Sequence, residues 1–158
     1  MLESSTSIEI RNVYKIFGPH PERYIEAVRE GGMNKADLLE KHNHVLGLSN
    51  VSLDIEAGYI QVIMGLSGSG KSTLIRHINR LIEPTAGEVI VDGTDVRALK
   101  PKALRTFRRA STAMVFQKFA LLPHRTVLGN VVFGLEIRGV PRAEQLEEAR
   151  HWINRVRL

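Results

Sequence analysis

Loose alternation of apolar and polar residues from Ser7 to Ile16 predicts a first β-strand, ended by Phe17-Gly18-Pro19-His20-Pro21, where two prolines and a glycine stop it. Arg23 to Glu30 reads as a short helix closed by Gly31-Gly32, glycine being favoured just past a helix end. Asn34 is placed to cap a second short helix. Asp37, three residues on, approximates a capping box, and Leu38 and Leu39 supply apolar contacts. Val51 to Ile55 alternates as a strand and Ala57-Gly58 is a turn. Tyr59 to Met64 is a mostly apolar run of the kind that parallel sheets bury on both faces. Beyond a glycine-rich loop, Leu74, Ile75, Ile78, Leu81 and Ile82 recur at helical spacing until Pro84 and Gly87. Glu88 to Val91 predicts a strand running into an Asp92-Gly93 turn, Lys102 to Arg109 a helix, and Ala113 to Phe116 another apolar strand. Thr126 can cap a helix over Val127 to Leu135, and Pro141 opens a last helix with Leu146, Ala149, Ile153 and Val156 on one stripe.

Composition narrows the class. A chain of 158 residues is about one domain, and 43% hydrophobic with 25% charged residues is ordinary for a globular protein. No apolar run approaches the roughly 18 residues of a membrane span, and MLESSTSIEI lacks the basic and apolar regions of a secretory signal, which favours the cytoplasmic side. With no cysteine there are no disulfides or thiolate metal sites. The net charge of +5 is concentrated in Arg97, Lys100, Lys102, Arg105, Arg108 and Arg109. Only Phe107 interleaves with them, so the stacking platform of a single-strand nucleic-acid binder is not evident; a solvated helix face explains the cluster more simply.

The stretch GLSGSGKST, Gly65 to Thr73, carries the chemistry. A loop between an apolar run and a helix leaves backbone amides free, because the first N–H groups of a helix have no partner within it. Glycines at 65, 68 and 70 permit positive φ and close approach, and the helix dipole favours an anion. Lys71 can reach the β and γ phosphates, and the Ser72 hydroxyl can ligate Mg²⁺. A chance match of Gly, four residues, Gly-Lys-Ser somewhere in such a chain is on the order of half a per cent, before the flanking elements are required. Asn34-Lys-Ala-Asp37 also matches a guanine-reading pattern, but Glu30-Gly-Gly-Met33 before it offers no strand to fix it, so helix capping is the better reading. His20, His42, His44, His77, His124 and His151 show no metal-ligand pairing.

With GLSGSGKST followed by INRLIEPTAGEVIVDG and AMVFQKFALLPHRTVLGNV, the chain resembles the ATP-binding subunit of ABC transporters from Ile8 onward. The phrases VIMGLSGSGKST and VFQKFALLPH, and a helical insert at about 19–44, are most similar to the glycine betaine/L-proline importers. The resemblance implies an α/β P-loop NTPase: an ABC ATPase with a RecA-like core, an antiparallel β subdomain with the insert and P-loop core over 1–123, and the start of a helical subdomain over 124–158. It implies an ATP site, with Mg²⁺, made by Phe17, Gly65, Ser67, Gly68, Ser69, Gly70, Lys71, Ser72 and Thr73. Phe17 matches the aromatic that stacks on adenine; on its own it reads equally as a core aromatic. Gln117 matches the glutamine that reaches Mg²⁺ and the attacking water, so Lys71 and Gln117 are the expected catalytic residues and Ser72 and Gln117 the metal ligands. The 117–124 loop, with Phe119-Ala-Leu-Leu-Pro-His124, is expected to receive a membrane permease; read alone, it is a hydrophobic loop packed internally.

The same resemblance implies a homodimer of ATPase subunits, peripheral on the cytoplasmic face of the membrane and with no nucleic-acid partner. The LSGGQ signature loop, the strand ending in Asp with its catalytic Glu, and the switch His of the family are not in these 158 residues. The expectation is therefore an N-terminal fragment, not competent for hydrolysis alone and prone to aggregate. Alternatives are an ABC ATPase for another substrate such as an amino acid, a soluble relative acting on nucleic acid or ribosomes, and a truncated non-hydrolytic nucleotide-binding module.

Overall fold

A computed structural model describes residues 7–117 and 119–158. The chain divides into two compact units, one ending at Leu104 and the other running from Arg105 to Leu158.

The first unit is built on a four-stranded antiparallel sheet in the order β2-β1-β3-β4, with β1 (Ile8–Phe17), β2 (Val45–Ile55), β3 (Ala86–Val91) and β4 (Thr94–Asp95). β1 is paired along both edges: Ile8 lies opposite Ile55 on one side and Val91 on the other. A bulge at Asn12, whose φ is 46°, interrupts both pairings, and its amide donates to Ser52 Oγ at 2.9 Å. The bulge resets the two-residue period between Ile10 and Val13, both fully buried; further register shifts against β2 follow Val13, and Ile16, also fully buried, packs with Tyr14 against the insert. Each such side chain contributes about 1.5–3 kcal/mol by leaving water. β3 and β4 form the hairpin expected at Asp92-Gly93, with Val91 opposite Thr94.

The insert between β1 and β2 folds as a 3-10 turn (Pro21–Tyr24) continuing into α1 (Ile25–Arg29), then α2 (Lys35–His42). Ile25 and Leu38 pack onto Tyr14 and Ile16 of β1, with Met33 and Leu46 at the margin. Asn34 Oδ1 accepts from the amides of Ala36 at 2.8 Å and Asp37 at 3.0 Å, while the Asp37 carboxylate accepts from the Asn34 amide: the capping box is complete. His44 closes the insert, its ring nitrogens 2.8 Å from Pro19 O and 2.6 Å from His42 O. α3 (Lys71–Ile78) follows the glycine loop, and α4 (Pro101–Ala110) carries the division between the units.

In the second unit α5 (Val127–Arg138) and α6 (Arg142–Arg155) pack as a helical hairpin through Val132, Gln145 and Ala149. Thr126 Oγ1 caps α5 by accepting from Gly129 N at 3.1 Å, and Gly139 ends the helix at φ 77°.

Several expectations are corrected. Tyr59–Met64 and Ala113–Phe116 are not strands: both are irregular, with Ile60 93% and Val115 97% exposed. A parallel strand takes all its hydrogen bonds from strands remote in sequence, and among the described residues no strand pairs with either run. β2 begins at Val45 and not Val51, because pairing of Phe17 with Val45 extends it. α5 continues to Arg138, and Val156 leaves the stripe of α6 as its exposed C-cap.

Candidate functional site

The sheet and α3 bring most of the expected residues around one cavity of about 240 Å³ in the first unit. Gly68, Ser69, Gly70, Lys71, Ser72 and Thr73 form one side of it. Phe17, at the end of β1, and Val45 to Gly47, at the start of β2, form another. Gly65 and Ser67 are exposed in the loop that leads in.

The loop geometry follows from its glycines. Gly70 sits at φ 90° as the N-cap of α3, and a Cβ there would stand 2.6 Å from Gly47 O. Only glycine lets the loop lie this close to β2. The first helical bond runs from Leu74 N to Gly70 O at 2.8 Å, so the amides of Lys71, Ser72 and Thr73 precede the helical ladder. Gly70 brings no capping side chain to them, and the positive end of the helix dipole lies at the cavity.

Lys71 Nζ donates to Gly65 O at 2.8 Å and Leu66 O at 2.7 Å, and lies 3.4 Å from Ser69 Oγ. The ammonium is thereby held against the loop. Ser72 is exposed, with its hydroxyl available to a ligand. On the buried side of α3, His77 is fully buried and its Nδ1 lies 2.6 Å from Thr73 O. Burial pushes the imidazole pKa down, against the opposing pull of that carbonyl, and among the described residues Nε2 is buried without a partner. The neutral ring, donating through Nδ1, fastens the first turn of α3 from inside.

Phe17 lies over the bare backbone of Gly47: a Cβ on Gly47 would meet Phe17 Cε2 at 2.6 Å. The ring is 38% exposed and keeps the Lys15 ammonium 5.1 Å from its centroid. The aromatic is thus an open wall of the cavity and not a core residue.

Gln117 lies in the second unit, exposed in a turn. The loop after it is apolar and open, with Phe119 82% exposed. Phe119 and Ala120 both take positive φ, 55° and 53°, an uncommon conformation for residues with a side chain. Asn130 of α5 holds the loop's far end: its Oδ1 accepts from Leu122 N at 2.8 Å, and its Nδ2 donates to Thr126 O at 3.0 Å.

Sequence reasoning missed one polar contributor. Lys35, the first residue of α2, lines the same cavity as Gly68 to Thr73. A signal was available, since a cation in the first turn of a helix opposes the dipole. Among the described residues no group of three or more His, Asp or Glu could hold a metal ion. A hard cation here would rest on Ser72 and on the ligand's own oxygens, which is how Mg²⁺ is usually held. The exposed hydroxyl beside free amides fits that arrangement.

The model of the ABC transporter family matches residues 48–158. The glycine betaine/proline betaine transport system ATP-binding protein ProV of Escherichia coli K12 is 51% identical over 96% of this chain and 38% of its own length. The glycine betaine transport ATP-binding protein OpuAA of Bacillus subtilis 168 is 43% identical over 93% of the chain and 35% of its own length. The chain therefore spans little more than a third of these relatives. Among solved structures, the ATP-binding cassette MJ0796, dimeric in a post-hydrolysis state with ADP and Pi, superposes with a TM-score of 0.73. The match is at 30% identity, over 93% of this chain and 56% of that one.

Proposed function

The chain belongs to the ABC transporter family, and from that premise we propose that its first unit binds MgATP as part of the ATP-binding subunit of an importer for glycine betaine or related osmoprotectants. The observation that carries this reading is the single cavity in which an open aromatic, Phe17, faces a glycine loop and the uncapped start of α3. Adenine stacks on Phe17. The amides of Gly68 to Thr73 and the Lys71 ammonium take the phosphates, and Ser72 joins the phosphate oxygens in holding Mg²⁺. The metal, when bound, offsets charge that accumulates on the phosphates.

Gln117 and the 117–124 loop supply the link to transport in this reading. The open Phe119, the positive φ at Phe119 and Ala120, and the anchoring by Asn130 support a preformed apolar contact for a permease. Among the described residues no helix is long and apolar enough to cross a membrane. The subunit would act peripherally at the cytoplasmic face, paired with a second copy. The dimeric cassette with ADP and Pi supports that pairing and hydrolysis by the whole subunit.

Calorimetric titration with MgATP tests the site. Binding is expected in the wild type, and Lys71→Ala should weaken it by at least about tenfold, since a charge-assisted contact contributes roughly 1.5–3 kcal/mol. Unchanged affinity in that variant would sink the assignment of the loop.

A further inference from the structure

We propose that Lys35, carried by the helical insert, contacts the phosphate chain of the bound nucleotide, so that the insert is part of the binding site and not only a cover for the sheet. The proposal rests on the nucleotide reading above and adds a residue to it. Three observations converge on Lys35. It lines the cavity with Gly68 to Thr73 and Phe17, although 33 or more residues separate it from the loop in sequence. Among the described residues it has no hydrogen-bond or ion-pair partner, whereas Lys71 in the same cavity is bonded to two loop carbonyls. It also stands at the first position of α2, where the helix dipole disfavours a cation.

Local structure gives no reason for a lysine there. The capping box is made by Asn34 and Asp37, and the helix's own ion pair joins Asp37 to Lys41 at 2.6 Å. The apolar attachment to the sheet runs through Leu38. What remains for Lys35 is the cavity. A local choice that opposes the helix, at a position facing a phosphate-binding loop, is accounted for by an anion arriving there. The capping box holds α2 at its N-terminus, so the ammonium is presented from an ordered turn.

The test is calorimetric titration of Lys35→Ala, Lys35→Arg and the wild type with MgATP and, separately, adenosine. The alanine variant should bind MgATP about 5–10-fold more weakly, the effect of one partly solvated charge contact, with adenosine affinity unchanged. The arginine variant should retain most of the affinity, and added salt should narrow the gap. Equal ATP affinity in wild type and Lys35→Ala, while Lys71→Ala loses binding, would overturn the role of Lys35 and leave the nucleotide site standing. A parallel loss for adenosine would also overturn it, because the side chain would then be shaping the pocket and not meeting phosphate. Absence of wild-type binding would overturn both readings. Thermal melts of Lys35→Ala should match or slightly exceed the wild type, separating lost binding from lost folding.

Discussion

β1 and the run Tyr59–Met64 belong to the same unit, and the second is the more continuously apolar, yet Ile10, Val13 and Ile16 are fully buried while Met64 is 86% exposed. The difference lies in their partners. β1 has β2 along one edge and β3 along the other, and the insert covers Tyr14 and Ile16. Tyr59–Met64 has no strand beside it among the described residues. Apolar content makes a segment able to be buried; a hydrogen-bonded neighbour on each side decides whether it is.

The comparison breaks most directly under hydrogen exchange. Amides in the middle of β1 should exchange on the order of 10³-fold more slowly than those of Ile60 to Met64, reflecting opening that costs several kcal/mol in one and almost nothing in the other. Similar rates would mean that the run is structured in solution. Denaturant unfolding sharpens the contrast: Ile10→Ala should cost about 2–5 kcal/mol, whereas Ile60→Ala should stay within about 0.5 kcal/mol. Asn34→Ala, which removes the acceptor of the capping box, should lower stability by about 1 kcal/mol in the same assay, with the loss seen as fraying of α2. The smallest effect is expected at His77. Burial holds its pKa below the ordinary value of about 6.5, so the unfolded ring takes up a proton that the folded ring refuses. Its stabilising contribution is complete above that pH and declines as the solution is acidified further. His77→Leu should flatten the fall in melting temperature between about pH 7 and pH 5.5; an unchanged slope would show that the decline has another source.

How much of this was legible beforehand depended on range. The Asn34–Asp37 capping box, the Thr126 cap and the Asp92-Gly93 hairpin are set by residues within four positions of each other, and the structure reproduces them. The start of β2 was hidden because Gly47, Ser49 and Asn50 interrupt its alternation; pairing with β1 supplies what the local pattern lacks. Tyr59–Met64 departs from its predicted strand because periodicity records burial potential and not the presence of neighbours. At the site, the spacing of Gly68 to Thr73 is itself the signal, while Phe17 is ambiguous in sequence and is placed by Gly47 beneath its ring. Lys35 gave only a helix-dipole conflict, which acquires meaning when α2 is seen to reach the loop's cavity.

Lys71 does not wait in bulk water, since the carbonyls of Gly65 and Leu66 already solvate its ammonium. Two of its three donors are engaged and the third faces, among the described residues, only Ser69 Oγ at 3.4 Å, so an arriving phosphate meets that third donor on a side chain with little conformational freedom left to surrender. An anion that draws the other two donors as well would free the carbonyls of Gly65 and Leu66 to water and alter the bend they form. A reporter attached at that bend would sense occupancy without ever touching the nucleotide.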